Sequence, residues 1–169
     1  NTFGSQNHGI GDDDWNHVNS IYLNELDRIY LSSRNWSEFF VINWHGGDDD
    51  SGDILYRWGN PQNYGIASEQ KLFSNHSVNE IPYNYPGGGN VILYNNEIYD
   101  EQSAVTEIVP PVDNNGNYII EPGQPFGPID PIWEHTGNFH SARQSGAFRL
   151  PNGNTFVISA AEAKMFEVD

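Results

Sequence analysis

Arg28-Ile-Tyr-Leu-Ser-Ser33, Asn90-Val-Ile-Leu-Tyr-Asn95 and Asn154-Thr-Phe-Val-Ile-Ser159 line up, and they start 62 and 64 residues apart. Each is followed by a second short apolar run: Glu38-Phe-Phe-Val-Ile42, Ala104-Val-Thr-Glu-Ile-Val109 and Lys164-Met-Phe-Glu-Val168. Two of the three continue to a run that ends in tryptophan, Ile54-Leu-Tyr-Arg-Trp58 and Asp130-Pro-Ile-Trp133. A repeat of about sixty residues holding four short strands is the pattern of one propeller blade with long loops, and internal repeats decide architecture before any motif does. The competing arrangement is a β-sandwich whose strands merely resemble one another.

Outward from these segments, the period is two and the punctuation is Gly, Asn, Asp and Pro, as in an all-β domain. Strands are expected at Val18–Leu23, Arg28–Ser32, Phe39–Asn43, Ile54–Trp58, Asn90–Tyr94, Val105–Val109, Tyr118–Ile120, Ile132–His135, Ala147–Leu150, Thr155–Ser159 and Lys164–Val168. The best helix candidate is Ala67–Phe73. The repeats cover roughly 14–60, 72–135 and 139–169, about 2.7 four-stranded units in 169 residues. Closed propellers hold roughly 4–8 blades, so the expectation is an incomplete ring. The blades that close it would come from the rest of a longer protein or from other chains.

Composition removes several function classes. Seven Lys+Arg against 23 Asp+Glu give a net charge of −16, which excludes a general nucleic-acid binder relying on clustered cations. No run approaches the ~20 apolar residues of a membrane span. The stretch Asn1–Trp15 has neither a basic nor an apolar leader region, so no targeting segment is expected in this sequence. Zero cysteines exclude disulfides and thiolate chemistry. The 14% aromatic content argues for a folded chain despite the charge. Few lysines and a large acidic excess point to a periplasmic or extracellular setting.

Three segments carry a family resemblance. Asp14-Trp-Asn-His-Val-Asn-Ser-Ile21 is similar to a D-W-x-H-x-N-S-I segment of the bacterial arylsulfate sulfotransferases. Ile29-Tyr-Leu-Ser-Ser-Arg34 resembles that family's next strand, and Leu72-Phe-Ser-Asn-His76 resembles the segment bearing its nucleophilic histidine. Leu55-Tyr-Arg-Trp-Gly-Asn-Pro61 and Arg149-Leu-Pro-Asn-Gly-Asn-Thr155 are supporting matches, while Ser77-Val-Asn79 departs from the pattern. The resemblance implies a six-bladed propeller that moves a sulfuryl group from an aryl sulfate to a phenol without a nucleotide cofactor. It implies that His76 becomes a transient sulfohistidine, with His17 and Arg34 on the sulfuryl and bridging oxygens. It also implies a further histidine from an earlier blade, outside these residues.

The residue types suit that chemistry independently. Sulfuryl transfer needs fixed cationic donors and a nucleophile able to form a covalent intermediate. Arginine offers a planar fork, and imidazole can attack, donate and accept near neutral pH. Taken alone, His17 reads equally as a turn residue, Arg34 as an exposed residue pairing with Glu38, and His76 as a loop histidine. Asn19, two residues from His17, and Gln144, beside His140 and Arg143 at the entry to the third repeat, are candidate substrate contacts. His8, His45 and His135 lack partners at ligand spacing, and no spacing supports zinc. Asp48, Asp50 and Asp53 in Asp48-Asp-Asp-Ser-Gly-Asp53 are calcium candidates without the closing glutamate of a helix–loop–helix site, and a solvated turn is the simpler reading; Asp12-Asp-Asp14 is weaker still. Asn35-Trp-Ser37 and Asn75-His-Ser77 match the glycosylation sequon by chance. The alternative function is a non-catalytic extracellular propeller serving as a binding or scaffold module.

Overall fold

The computed structural model describes residues 14–44, 51–99 and 101–169. Eleven strands run through them: β1 (Val18–Leu23), β2 (Arg28–Ser33), β3 (Glu38–Asn43), β4 (Ile54–Trp58), β5 (His76–Glu80), β6 (Val91–Tyr99), β7 (Gln102–Ile108), β8 (Trp133–Thr136), β9 (Gly146–Arg149), β10 (Thr155–Ser159) and β11 (Lys164–Val168). They form three antiparallel meanders, ordered β1-β2-β3-β4, β5-β6-β7-β8 and β11-β10-β9. The first strands of the sheets are neighbours, β1 against β5 and β5 against β9. The chain is thus all-β, built of blade-like repeats, and among the described residues the sheets do not close on one another.

Alternation along the middle sheet explains this stacking. On β6, Val91 and Leu93 point toward the first sheet and pack with Tyr30, Phe39, Val41, Tyr56, Trp58, Leu72 and Val78. Ile92 and Tyr94 point the other way and pack with Ile81, Val105, Phe139, Ala147 and Val157. A period of two places successive side chains on opposite faces, so a run apolar at every position belongs to a sheet covered on both sides. The flanking sheets have open outer faces, where Ile21 is 72% exposed and Met165 70% exposed.

The 24 residues between β7 and β8 do not loop into solvent but fold back over the first sheet. Tyr118 stacks on Tyr56 with ring centroids 4.7 Å apart, and Phe126 meets Tyr56 and Tyr64 edge-on. The Trp58 indole donates to the Pro128 carbonyl at 2.7 Å, and Arg28 donates to the Gly116 carbonyl at 2.7 Å. This strap ties the second repeat to the first away from the strands themselves.

Several local expectations need correction. No helix forms over Ala67–Phe73. Just before it a 3-10 turn, Pro61–Tyr64, is capped by Asn60 and ended by Gly65 at φ 82°, a conformation glycine adopts without strain. Beyond it no helix continues, because the Ser68 N–H is taken by the Ile66 carbonyl at 2.9 Å and the Lys71 N–H by the Gly59 carbonyl at 2.7 Å. Gly59 itself, at φ 134°, leaves no room for a side chain: an added Cβ would stand 2.4 Å from the Ser37 carbonyl oxygen. Tyr118–Ile120 makes only an isolated bridge, Tyr118 to Val112, since the Tyr118 ring is committed to the core of the strap. Conversely β5 is a strand that alternation misses, because His76, Asn79 and Glu80 are all buried polar residues.

The buried carboxylate of Glu38 accepts from Arg57 Nε at 3.0 Å and from Arg57 Nη2, and also from Asn63 at 3.0 Å. Removing one partner of a buried pair strands the other charge. Glu38→Ala is therefore expected to lower the unfolding free energy by about 3–5 kcal/mol in denaturant titration. Glu69→Ala, which breaks the exposed Lys71 pair, should leave the transition nearly unmoved.

Candidate functional site

Three strand entries meet here: the segment leading into β1, the start of β5 and the segment leading into β9. Asp14–His17 is fastened to the β2–β3 turn by main-chain and side-chain bonds. The Arg34 N–H donates to the His17 carbonyl at 3.1 Å, Ser33 Oγ donates to the Asn16 carbonyl at 2.9 Å, and the Asn35 amide donates to the Asp14 carbonyl. Trp15 lies on Trp36, centroids 5.2 Å apart, and Trp36 on Phe40 at 5.6 Å. His17 and Arg34 are thereby held adjacent although sixteen residues separate them in the chain.

His17 sits at φ 52°, and its Nδ1–H donates to Asp14 Oδ2 at 2.5 Å. That bond leaves Nε2 as the free nitrogen of the ring. Arg34 donates weakly to Asn35 Oδ1 at 3.3 Å, and no carboxylate among the described residues pairs with it. The alternative pairing with Glu38 does not occur, because Glu38 is engaged by Arg57.

His76 is buried at 6% exposure. Its Nδ1 lies 2.9 Å from the Ser74 carbonyl and 2.9 Å from Asn96 Oδ1. The Asn96 amide orientation is fixed by its nitrogen, which donates to the carbonyls of Ser141 at 2.7 Å and Gln144 at 3.0 Å. Two acceptors at Nδ1 require a proton there, so the lone pair is on Nε2. Nε2 in turn accepts the Gln144 backbone N–H at 3.1 Å. Burial pushes the His76 pKa below the ordinary imidazole value, and the positive charges of Arg34 and His17 push the same way. The bonds to Asn96 and Ser74 act in the opposite sense. His17, Arg34 and His76 thus lie close enough for their charges to act on one another.

The backbone around His76 is unusual. Ser74 (φ 55°), Ser77 (φ 58°), Gln144 (φ 54°) and Ser145 (φ 85°) are all left-handed without being glycine. Such residues are uncommon and cluster where surrounding structure over-determines them, often at functional sites. Asn19 reaches the same place: its Nδ2 donates to the Asn75 carbonyl at 2.8 Å, while its Oδ1 is buried without a partner. The bulge between Val18 and Ser20 breaks the simple alternation that would align Asn19 with His17. Gln144 contributes its backbone, and its side chain is exposed.

Other candidates lie apart from this cluster. The His135 ring is stacked between Trp133 and Phe139. The His140 N–H donates to Glu162 at 3.1 Å, and Arg143 is exposed. His8, His45, Asp12, Asp13, Asp48 and Asp50 lie outside the described residues, and Asp53 is exposed, with its carbonyl accepting from the Asn43 N–H at 2.9 Å. No grouping of three His, Asp or Glu side chains suited to a metal occurs among the described residues. Asn35 and Asn75 are buried with their amide nitrogens donating inside the fold, which puts both sequons out of reach of glycosylation. Sequence reasoning missed Asn96. The signal was present, since Asn96 stands in the second repeat where Arg34 stands in the first.

A sequence model of the arylsulfotransferase (ASST) family matches residues 1–167. The chain belongs to this family. No individual curated protein gives a significant match. Membership in the arylsulfotransferases makes sulfuryl transfer between small molecules the family's chemistry. No helix among the described residues is long and apolar enough to cross a membrane.

The lowered His76 pKa has a consequence for stability. Between the folded value and the ordinary value near 6.5, the unfolded chain binds the proton that the folded chain refuses. The stabilisation is therefore complete above about pH 6.5 and declines as pH falls toward the folded value. Denaturant midpoints should drop over that window in the native protein, and His76→Gln should flatten that part of the profile.

Proposed function

We propose that the protein transfers a sulfuryl group from an aryl sulfate to a phenolic acceptor in two steps, through a sulfohistidine on His76. The observation that carries this reading is the combination at His76: a protonated Nδ1, a lone pair on Nε2, and the cationic Arg34 together with His17 beside it. In the first step the Nε2 lone pair attacks sulfur, the sulfur–oxygen bond to the aryl group breaks, and the phenolate leaves. Arg34 stabilises charge on the sulfuryl oxygens. His17, carrying its second proton, gives Nε2–H to the departing oxygen. In the second step the acceptor phenol returns a proton to His17 Nε2 and attacks sulfur, and the nitrogen–sulfur bond breaks to restore His76. Splitting one transfer into two is the advantage of a covalent nucleophile. Asn19, held at the site by its bond to the Asn75 carbonyl, is the proposed polar contact to the substrate.

Initial rates are expected to follow ping-pong kinetics. In the whole native protein, His76→Ala should abolish transfer, and a quenched reaction should yield a sulfuryl adduct on the peptide containing Leu72–Glu80. Arg34→Lys keeps the charge but loses the fork, and loss of one oxyanion donor costs roughly 10²–10³ in turnover. Normal turnover by His76→Ala, or an adduct mapped elsewhere, overturns the assignment.

The three sheets are read as blades of a six-bladed propeller in the periplasm or outside the cell. Further blades, from the same protein or from other chains, would cover the open face bearing Ile21 and Leu23 and the free edge at β11. An apolar face and an unpaired strand edge favour association. Light scattering of the isolated 169-residue segment should therefore report assemblies, and a monodisperse 19.1 kDa species counts against the reading.

A further inference from the structure

We propose that Asn96 is a positioning residue for the transfer reaction, one end of its amide fixing the proton on His76 Nδ1 and the other holding residues 141–145 over Nε2. This rests on the reading of His76 as the nucleophile. Asn96 is fully buried at the point where β6 passes the site. Its Oδ1 accepts from His76 Nδ1–H, and its Nδ2 donates to the carbonyls of Ser141 and Gln144. Its own carbonyl accepts from Ser103 Oγ at 2.6 Å, and Ser103 Oγ accepts the Ser141 N–H at 3.0 Å. The loop is therefore gripped twice, and the Gln144 N–H is delivered to Nε2 from the opposite side of the ring. Asn96, Ser141–Gln144 and His76 form a closed circuit around one imidazole.

The circuit needs an amide. One acceptor and two donors must act together, which aspartate and serine cannot supply and leucine lacks altogether. With the proton locked on Nδ1, the Nε2 lone pair is the only one the ring has for attack. When the nitrogen–sulfur bond forms, that lone pair is consumed and the Gln144 N–H loses its acceptor. Held in place by Asn96, the same N–H is then positioned to donate to a sulfuryl oxygen. The left-handed backbone at Gln144 and Ser145 is what aims it. The charged groups facing the imidazole are Arg34 and His17 of the first sheet, the latter paired with Asp14. The contacts from β6 and from the loop are neutral.

The test is the imidazole nitrogen spectrum of the whole native protein, with His76 assigned by its own substitution. Wild type is expected to show the Nδ1–H tautomer, and an Nε2–H tautomer overturns the proposal without any variant having to fold. Asn96→Ala leaves the Ser74 carbonyl as the remaining acceptor at Nδ1 and frees the loop that carries the Gln144 N–H. It should therefore give mixed tautomers and lower kcat by about 10–100-fold, by analogy with outer hydrogen bonds to metal-bound histidines, with KM changing less. Asn96→Asp keeps the acceptor at Nδ1, so it should keep the tautomer while moving the kcat profile to higher pH, because a carboxylate favours the imidazolium. If Asn96→Ala leaves both the tautomer and the pH profile unchanged, Asn96 is a structural residue and the proposal fails, whatever its effect on melting. Adduct mapping tests His76 separately. An adduct on another residue ends the nucleophile reading irrespective of the spectra.

Discussion

On β6, Val91 and Leu93 face the first sheet and Ile92 and Tyr94 face the third, so one strand supplies both cores of the molecule. Among the described residues the first and third sheets share no core cluster, and each packs on what the middle sheet presents to it. This fixes β1, β5 and β9 side by side. Because the chain enters each of these strands at one end of the stack, the residues preceding β1, starting β5 and preceding β9 come together there. His17, His76 and Gln144 are those residues. The site is a consequence of sheet stacking before it is a consequence of any local motif.

Buried polar groups then register the sheets against each other. Glu80 at the far end of β5 accepts from Asn24 and Tyr30 of the first sheet, and Glu107 of the middle sheet pairs with Arg149 of the third. Apolar packing tolerates sliding by a fraction of a residue, whereas a buried carboxylate loses its partners if the sheets slip. The entry loops depend on that register. A displacement of 1 Å would take the Gln144 N–H out of hydrogen-bond range of His76.

Most of the strand plan was legible because apolar alternation and turn residues act locally. Val18–Leu23, Ile54–Trp58, Thr155–Ser159 and Lys164–Val168 have the limits read from sequence. What was not legible is long-range. β5 is polar because its side chains meet polar groups far away in the chain: Asn24 of the first repeat for Glu80, and Asn96 of β6 for His76. The 109–132 segment reads as holding a strand at Tyr118–Ile120, yet it adds none to a sheet, and Tyr118 and Phe126 are spent on a neighbouring repeat. At the site, His17, Arg34 and His76 were singled out by similarity to a family. Asn96 was legible only through the repeat alignment that sets it opposite Arg34, and the Gln144 backbone only in space.

A chain with net charge −16 is a poor long-range attractor for a sulfate ester. The geometry resolves this locally. At physiological salt the field of the acidic surface fades over about 8 Å, so an anion that arrives at the site feels mainly the groups lining it. Those groups are Arg34, with no carboxylate of the described residues to neutralise it, and His17, whose Asp14 partner occupies the nitrogen facing away from the free Nε2. Burial, with a smaller push from these neighbours, lowers the His76 pKa and so favours the neutral imidazole with its lone pair on Nε2. Arg34 therefore acts in two ways that usually conflict: it attracts an anion and, together with burial, disfavours a proton on the imidazole beside it.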